Sequence, residues 1–231
     1  MGTSSLSPKE NFARAIRCPD DEINLGAAAL YAASSEFPDL DVIAYQGRIA
    51  QFGIKVKDLL PANYSNFDFV DAMHEVLFGK AGFTGDSKDY FDPGNSHLNE
   101  VIDHLKGNPV TLSIFYIEVA RVTGEKVRGI SLRKHFVVVV GTGEDRIYID
   151  PFHSGGLLSR KECITNILGK DNFKNGDLDD LERKFLKPAS NRAILRRQLS
   201  NLKVAHEKHK QYDLALSASE RIQLVDPTNL R

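Results

Sequence analysis

Apolar residues recur at helical spacing through the first half of the chain. Between residues 39 and 61 they return every three or four positions, which predicts one long amphipathic helix along the stripe Val42, Tyr45, Ile49, Phe52, Val56 and Leu59. The preceding segment, INLGAAALYAAS, predicts a shorter apolar helix with Asp20 and Asp21 as its N-cap. Two further helices are predicted over residues 67–78 and over HLNEVIDHLK.

The second half changes to a strand pattern after one fully apolar helix. The segment VTLSIFYIEVARVTG is apolar on almost every side, which is typical of a buried helix, and Gly124 is its predicted end. Strands are predicted at residues 127–132, 135–140 and 146–149. The middle strand contains FVVVV without polar alternation, which indicates burial on both faces. Two helices are predicted at the end of the chain, over residues 191–208 and 212–225.

Two polar segments interrupt these elements. GKAGFTGDSKDYFDPGNS is rich in Gly, Asp, Ser and Pro and predicts a long loop, and loops of that length inside a compact domain are usually functional or disordered. The segment from residue 171 to Pro188 is also polar, and we expect it to be irregular. We therefore predict a first domain over residues 1–188 and a helical hairpin over residues 189–231.

Composition places the chain among ordinary soluble globular proteins, with 42% hydrophobic and 26% charged residues in 231. The net charge of −1 argues against a nucleic-acid partner, and no apolar run is long enough to cross a bilayer. Two cysteines make no disulfide framework, which favours a reducing compartment. We expect a cytoplasmic protein, or one of an organelle matrix or stroma if a targeting segment has been removed.

The stretch KHFVVVVGTGEDRIYIDPF predicts a β-hairpin that brings a histidine to an aspartate. If the hairpin closes on Thr142 and Gly143, residues whose numbers sum to 285 face each other, and His135 lies opposite Asp150. Opposed residues share one face of a sheet with their Cβ atoms ~4.5–5.5 Å apart. The carboxylate would then fix the imidazole tautomer. A pair that only satisfies two polar groups at a strand end is the alternative interpretation.

Several motifs resemble known families. FPDLDV, GFTGDSKDYFDPGNSHLNEVI, GNPVTLSIFYIEVARVTG, the HF pair and DPFHSGGLL together resemble the SirB1 family, a branch of the transglutaminase-like superfamily. This resemblance implies an α+β, papain-like fold, in which a helix with a cysteine nucleophile at its N-terminus packs on a small antiparallel sheet that supplies His and Asp. The end of the chain is similar to one tetratricopeptide repeat, with the expected small, aromatic and proline positions at Leu202, Ala205, Tyr212, Ala215 and Pro227.

The resemblance makes His135 and Asp150 an inherited catalytic pair, but the nucleophile is missing. The helix opens with PVTLS and has no cysteine, while Cys18 and Cys163 lie in unrelated segments. The hydroxyl of Ser113 or Thr111 could replace the thiol, although a hydroxyl needs a well-placed base and an oxyanion hole. Helix capping is the alternative interpretation of both residues.

The polar loop supplies candidate ligand-binding residues. Tyr90, Asp92 and Asn95 could border the same cleft and contact a ligand. The alternative is structural, because Asp-Pro-Gly-Asn favours a turn and Ser96 can cap the helix that follows.

Two cations, Arg133 and Lys134, precede His135 where relatives often have Pro-Gly. They are candidate ligand-binding residues, and beside the histidine they are expected to disfavour its protonated form and to crowd a substrate.

We expect no metal and no cofactor. His97, Glu100 and His104 share a predicted helix face, but a solvated surface explains them better than a metal site. The basic residues of the last two helices are interrupted by Glu207 and Asp213, so a solvated surface is again favoured over an RNA-binding one.

Two functions follow from these observations. The first is a non-catalytic interaction or scaffold protein, a pseudoenzyme that binds a protein partner through the cleft and the C-terminal helical hairpin. The second is a hydrolase or acyl transferase acting on a peptide amide, with Ser113 or Thr111 as nucleophile and His135 and Asp150 as its partners.

Overall fold

The computed structural model describes residues 6–169 and 178–228. The α-helices in these ranges are α1 (Pro8–Ala15), α2 (Leu25–Ala33), α3 (Val42–Leu59), α4 (Asn66–His74), α5 (Leu98–His104), α6 (Pro109–Thr123), α7 (Arg160–Leu168), α8 (Leu178–Phe185), α9 (Asn191–Lys208) and α10 (Tyr212–Val225). The strands are β1 (Thr84–Gly85), β2 (Lys106–Gly107), β3 (Arg128–Ser131), β4 (Phe136–Val140), β5 (Ile147–Asp150) and β6 (Gly156–Leu158). The fold class is α+β, as the sequence predicts.

A four-stranded antiparallel sheet lies at the centre, in the order β3-β4-β5-β6. Side chains of β4 alternate between two apolar cores: Phe136, Val138 and Val140 join the main core around α6. Val137 and Val139 join a smaller core beneath α7 and α8. Burial on both faces explains the uninterrupted apolar run of this strand and confirms the prediction made from it.

The predicted hairpin register is wrong by two residues. Val140 pairs with Ile147 and Val138 with Ile149, so facing residues sum to 287 rather than 285. The reason is the connection, which is not a two-residue turn but includes a 3-10 turn over Gly143–Asp145. An even shift keeps every side chain on its predicted face, because side chains alternate with a period of two.

Helix α6 is buried along nearly its whole length, as predicted. Asn108 caps it, because its Oδ1 accepts hydrogen bonds from the amides of Val110 and Thr111, both at 3.0 Å. Pro109 occupies the first turn, where its missing N–H costs nothing. Gly124 ends the helix in the left-handed conformation, with φ of 97°.

Other boundaries differ from the predictions. Asn24 caps α2, whereas Asp20 binds the backbone amides of Asn191 and Arg192 at the N-terminus of α9. Leu59, at the end of the predicted stripe of α3, is exposed. The structure adds elements that the hydrophobic pattern did not predict, and they are α1, α7, α8, β1, β2 and β6.

The two polar segments are more ordered than expected. The helix predicted over residues 67–78 is α4 followed by a π-helical turn (Glu75–Lys80), and the loop after it contains strand β1 and a 3-10 turn (Pro93–Ser96). Helix α8 forms inside the segment predicted to be irregular, while residues 171–177 of that segment lie outside the described residues.

The terminal helices α9 and α10 have the predicted bounds and pack on each other. Ile194, Leu195 and Leu199 of α9 belong to the same apolar core as α6. The core therefore continues across residue 188, and the domain boundary there stays a prediction. In the described ranges, no helix combines the length and apolar character that a bilayer crossing requires.

Candidate functional site

Asp150 is the organising residue of the candidate site. It ends β5, and its Oδ1 accepts hydrogen bonds from the backbone amides of Phe152 (3.0 Å) and His153 (3.3 Å). Pro151 follows directly and starts a 3-10 turn over Pro151–His153. These contacts fix the carboxylate at the point where the strand becomes a turn.

The second oxygen of Asp150 holds two imidazoles. Oδ2 lies 2.6 Å from Nε2 of His135 and 2.7 Å from Nδ1 of His153. Burial opposes ionisation of Asp150, but the hydrogen bonds from His135 and His153 outweigh it and lower the pKa of the carboxyl below its usual 3.8. The site is therefore a His–Asp–His arrangement in which the central carboxylate of Asp150 is ionised.

The contact fixes the tautomer of His135. An ionised carboxylate can only accept, so Nε2 of His135 carries the proton that faces Asp150. In the neutral ring, Nδ1 then has the free lone pair that a general base requires. The sequence predicted the contact between His135 and Asp150, and it did not single out His153, although the spacing of three residues from Asp150 was a usable signal.

Aromatic rings surround His135. The Phe152 ring meets it edge to face, with ring centroids 6.0 Å apart, and Tyr90 meets the same Phe152 ring at 6.0 Å. Phe152 also packs directly on the backbone of Gly85 in β1, where a side chain would overlap its ring. Strand β1 pairs with β2 just before α6, so Phe152 connects the histidine to the region of the helix tip.

The two candidate nucleophiles on α6 are fully buried and bonded within their own helix. Ser113 Oγ donates to the carbonyl of Pro109 at 2.7 Å, and Thr111 Oγ1 donates to Asn108 Oδ1 at 3.2 Å. Neither hydroxyl accepts from a backbone amide as an N-cap does; Asn108 has that role, so the capping interpretation is wrong in detail. Within residues 6–169 and 178–228, no hydrogen bond joins either hydroxyl to His135.

The polar loop is fastened to the tip of α6. Asn108 Nδ2 donates to Ser96 Oγ at 2.8 Å, and the Asn108 amide donates to the carbonyl of Asn95 at 3.1 Å. Ser96 therefore does not cap α5; His97 is the N-cap residue and makes no side-chain cap. Asp92 forms the predicted turn by accepting from Gly94 N at 2.9 Å.

The three candidate ligand-binding residues of the loop differ in their exposure to solvent. Asn95 is buried, and its side chain donates to the carbonyl of Asp89 at 2.7 Å. Tyr90 is half-exposed, and burial of its ring raises its pKa above 10.0. Asp92 is exposed and occupied by the turn. Of the three, only Tyr90 presents surface next to the aromatic rings around His135.

Arg133 and Lys134 form the exposed turn between β3 and β4, closed by a hydrogen bond from Leu132 N to His135 O at 3.0 Å. A different cation, Arg197 of α9, reaches this turn and donates to Ser131 Oγ (2.6 Å) and Leu132 O (2.9 Å). This contact between α9 and the strand turn was not predicted, because it joins residues far apart in the sequence.

Little space remains between the helix tip and α9. A cavity of about 70 Å³ lies there, lined by Tyr90, Phe91, Ser96, Asn108, Asn201, Val204 and Ala205. Pockets that hold ligands are typically about 300–1,000 Å³. This cavity therefore admits water but not a peptide side chain with its backbone.

The cysteines do not replace the missing nucleophile. Cys163 is buried in the smaller core, where burial raises the pKa of its thiol to about 12. Cys18 is half-buried near the N-terminus, where its Sγ contacts the carbonyl of Ala15.

Two groups of three side chains bring potential metal ligands within 4.8 Å of one another: His135, Asp150 and His153, and Glu36, His97 and His206. In the first group, the imidazoles lie at the short hydrogen-bond distances of 2.6 and 2.7 Å from Asp150 Oδ2, and we interpret it as a hydrogen-bonded triad. The second group contradicts one prediction, because His97 is buried and does not lie on a solvated helix face.

Comparison with known proteins agrees with this architecture. A family profile described as the transglutaminase-like superfamily matches residues 43–200, more than half of the chain. The chain therefore belongs to the transglutaminase-like superfamily.

Three relatives show how far the similarity extends. The UPF0162 protein of Xylella fastidiosa (strain 9a5c) is 30% identical over 214 residues, which cover 90% of this chain and 74% of that protein. The UPF0162 protein of Vibrio cholerae serotype O1 is 29% identical over 151 residues, covering 65% and 54%. The human F-box only protein 21 is 31% identical over 102 residues, covering 41% and 16%. No solved structure matches the chain.

Proposed function

We propose that this chain is a non-catalytic protein-interaction or scaffold protein of the SirB1 type, built on a transglutaminase-like fold that lacks the nucleophilic cysteine. The observation that carries the proposal is the state of Ser113 and Thr111. Both hydroxyls are buried and donate to oxygen atoms of their own helix turn, so neither directs its proton towards His135. A base without a nucleophile cannot start acyl transfer.

The surroundings of the helix tip support the same proposal. Asn108, Ser96 and α9 pack in front of α6, and the cavity among them has a volume of about 70 Å³. Catalysis on a peptide amide needs the reacting carbonyl about 3 Å from both a nucleophile and its oxyanion donors. The packing of α9 over the helix tip supports the proposal, because a substrate would have to compete with it for this space.

A second candidate function rests on the intact His135–Asp150 pair. Its 2.6 Å contact and the orientation of Nε2 towards the carboxylate are what a His–Asp dyad needs. In this alternative, α9 moves and Ser113 or Thr111 rotates away from its helix acceptor. Nδ1 of His135 takes the hydroxyl proton while the oxygen attacks an amide carbonyl, whose π electrons move to its oxygen. The tetrahedral intermediate then collapses to an acyl-enzyme ester as the C–N bond breaks, and the imidazolium gives its proton to the leaving amine.

Hydrolysis and amide-transfer assays separate the two functions. We expect the wild type, His135→Ala and Ser113→Ala to give the same background release of nitrophenol from an activated ester and of ammonia from a glutamine peptide. The same result is expected for labelling with a fluorophosphonate probe. A rate or a labelled fraction at least about tenfold above His135→Ala, and lost in Ser113→Ala or Thr111→Ala, would replace the scaffold function by the hydrolase.

We further propose that the partner is a protein and that it contacts the C-terminal helical hairpin, which we interpret as tetratricopeptide-like. Tyr212 and Leu216 are one helix turn apart on α10 and 66% and 63% exposed, and Val204 of α9 is also exposed. One face of the hairpin packs on the main core, and these exposed side chains lie outside that contact, where a partner can reach them. The two free cysteines support a reducing compartment for this interaction.

The test is a quantitative affinity purification with matched variants. We expect one set of proteins to be enriched with the wild type and reduced at least about tenfold with Leu216→Asp, because a charge in an apolar contact is poorly tolerated. Ile43→Asp is the control, since Ile43 is 79% exposed on α3, outside the hairpin. Equal loss with both variants, or no loss with Leu216→Asp, would remove the hairpin as the binding surface.

A further inference from the structure

Three segments that are distant in the sequence converge on one buried polar group. Glu36 lies in the turn after α2, His97 is the N-cap residue of α5, and His206 is near the end of α9. His97 is 3% exposed and His206 only 1%, while Glu36 is partly buried. Buried histidines facing a carboxylate are costly to desolvate, and such groups are retained where they have a specific partner.

The distances in this group match those of a metal centre. Oε1 of Glu36 is 3.2 Å from Nε2 of His97 and 3.2 Å from Nε2 of His206. Zinc binds histidine nitrogen and carboxylate oxygen at about 2.0–2.1 Å with tetrahedral angles, which places neighbouring ligand atoms about 3.3 Å apart. The two distances to Glu36 already have this spacing, and all three ligand atoms lie within 4.8 Å of one another, close enough to converge on one cation.

The two histidines differ in how their ring nitrogens are partnered. Nδ1 of His206 lies 2.8 Å from Oε1 of Gln211 and its Nε2 lies 3.2 Å from Oε1 of Glu36, so both ring nitrogens face acceptors. Nε2 of His97 is completely buried and, among the described residues, has no hydrogen-bond partner with acceptable geometry. A cation that displaced the Nε2 proton of His206 would bind that nitrogen, the unpartnered Nε2 of His97 and the Glu36 carboxylate together.

The hydrogen bond between His206 Nδ1 and Gln211 is also typical of histidines that bind a metal through their other ring nitrogen. A second hydrogen bond from the other ring nitrogen fixes the tautomer and the ring orientation of a ligating histidine. His97 is held differently, by the edge of the Phe37 ring at a centroid distance of 5.2 Å. Both rings are thus oriented towards Glu36 before any cation binds.

We propose that Glu36, His97 and His206 form a binding site for a divalent transition-metal cation, with zinc as the best match to two imidazoles and one carboxylate. Three protein ligands leave the fourth tetrahedral position to water. Arg221 of α10 is the other charged group near Glu36, and its NH1 donates to the carbonyl of Ser217 at 3.0 Å. Its charge opposes a cation and so sets the affinity below that of sites rich in thiolates.

The cation would join α9 to the transglutaminase-like part of the chain. The same helix donates from Gln198 Nε2 to the carbonyl of Ser96 at 2.9 Å and from Arg197 to the turn before His135. Helix α9 is therefore the element that closes the space over the tip of α6, and the metal would hold it there. The inference concerns stability and does not depend on whether His135 is catalytic.

Metal binding is measured on the full chain after removal of bound metal with a chelator. We expect one equivalent of Zn²⁺ to compete with a chromophoric chelator and to raise the midpoint of thermal unfolding by roughly 5 °C. One equivalent of Co²⁺ should give the visible absorption of a tetrahedral site. A chain that is folded by circular dichroism but binds neither cation would overturn the proposal and leave a proton-linked ion pair.

Substitutions assign the binding to this group of residues. Glu36→Gln keeps the size of the side chain and should weaken Zn²⁺ binding by more than the about 10–100-fold that loss of a second-shell partner costs. His104→Ala, at an exposed histidine, and His153→Ala, in the other three-residue group, should bind as the wild type does. Retained binding in Glu36→Gln, or binding lost in His153→Ala, would overturn the assignment. If Glu36→Gln does not fold, the Co²⁺ spectra of the wild type and His153→Ala decide, because a band lost in His153→Ala places the metal elsewhere.

Discussion

Replacing Asp150 with alanine is expected to lower the free energy of unfolding by about 4 kcal/mol, because removal of a buried charged partner costs about 3–5 kcal/mol. Four donors lose their acceptor together: the amides of Phe152 and His153 and the rings of His135 and His153. Urea unfolding of the wild type and Asp150→Ala measures the difference. The same variant should release the turn that positions Phe152 beside His135.

Asp92→Ala is the matched control for this substitution. Asp92 also accepts from a backbone amide in a turn, but it is exposed and bonds no histidine. Loss of such a cap costs about 1 kcal/mol. If Asp150→Ala and Asp92→Ala destabilise the chain equally, the two imidazole contacts of Asp150 contribute nothing to stability.

The Asp150 contribution depends on pH in a direction that its pKa fixes. The carboxyl pKa is lowered in the folded chain from 3.8, so the stabilisation is complete above that pH and is lost as the pH falls through the folded value. The difference in unfolding free energy between the wild type and Asp150→Asn should therefore be largest well above pH 3.8 and shrink below it. A difference that grows on acidification would show that the carboxyl is not held ionised by its partners.

The sequence predicted the His135–Asp150 contact from a wrong register, and the reason is instructive. Hydrophobic alternation determines which face of a strand is buried, so a shift by two residues keeps both side chains on one face. The shift itself depends on the connection between the strands, where Gly143–Asp145 form a 3-10 turn that the dipeptide pattern did not indicate. The alternation of apolar residues predicted which face of the sheet each side chain lies on, and the connection between β4 and β5 set which residues pair.

Helix α8, a polar helix with one buried charged residue, was among the elements that the sequence did not predict. Helix α8 has few apolar residues, yet Glu182 is buried and accepts from Tyr148 at 2.6 Å and Arg146 at 2.7 Å. The position of this helix depends on partners more than 30 residues away along the chain, and helical periodicity carries no information about them. The Glu36–His97–His206 group was missed for the same reason, whereas His97 and His104, close in sequence, were considered together and turned out to lie in different environments.

Introducing a side chain at Gly85 is expected to disturb both the fold and the candidate site. The Phe152 ring occupies the position of the missing Cβ, so Gly85→Val must displace the ring or separate β1 from β2. Overpacking of this kind costs about 3 kcal/mol, which urea unfolding would detect. Because Phe152 also lies against His135, the imidazole resonances of that histidine should shift in a histidine-labelled NMR spectrum.

Gly47→Ala provides the contrast, because the new methyl group on α3 meets no atom within 4 Å. Alanine in an unobstructed helix position is expected to stabilise the chain by about 0.4–1 kcal/mol. Its His135 resonances should match those of the wild type. If Gly85→Val instead has the same urea midpoint of unfolding as the wild type and its His135 signals are unshifted, Phe152 does not link β1 to the histidine. The aromatic contact between Phe152 and His135 would then be independent of the packing of Phe152 on β1.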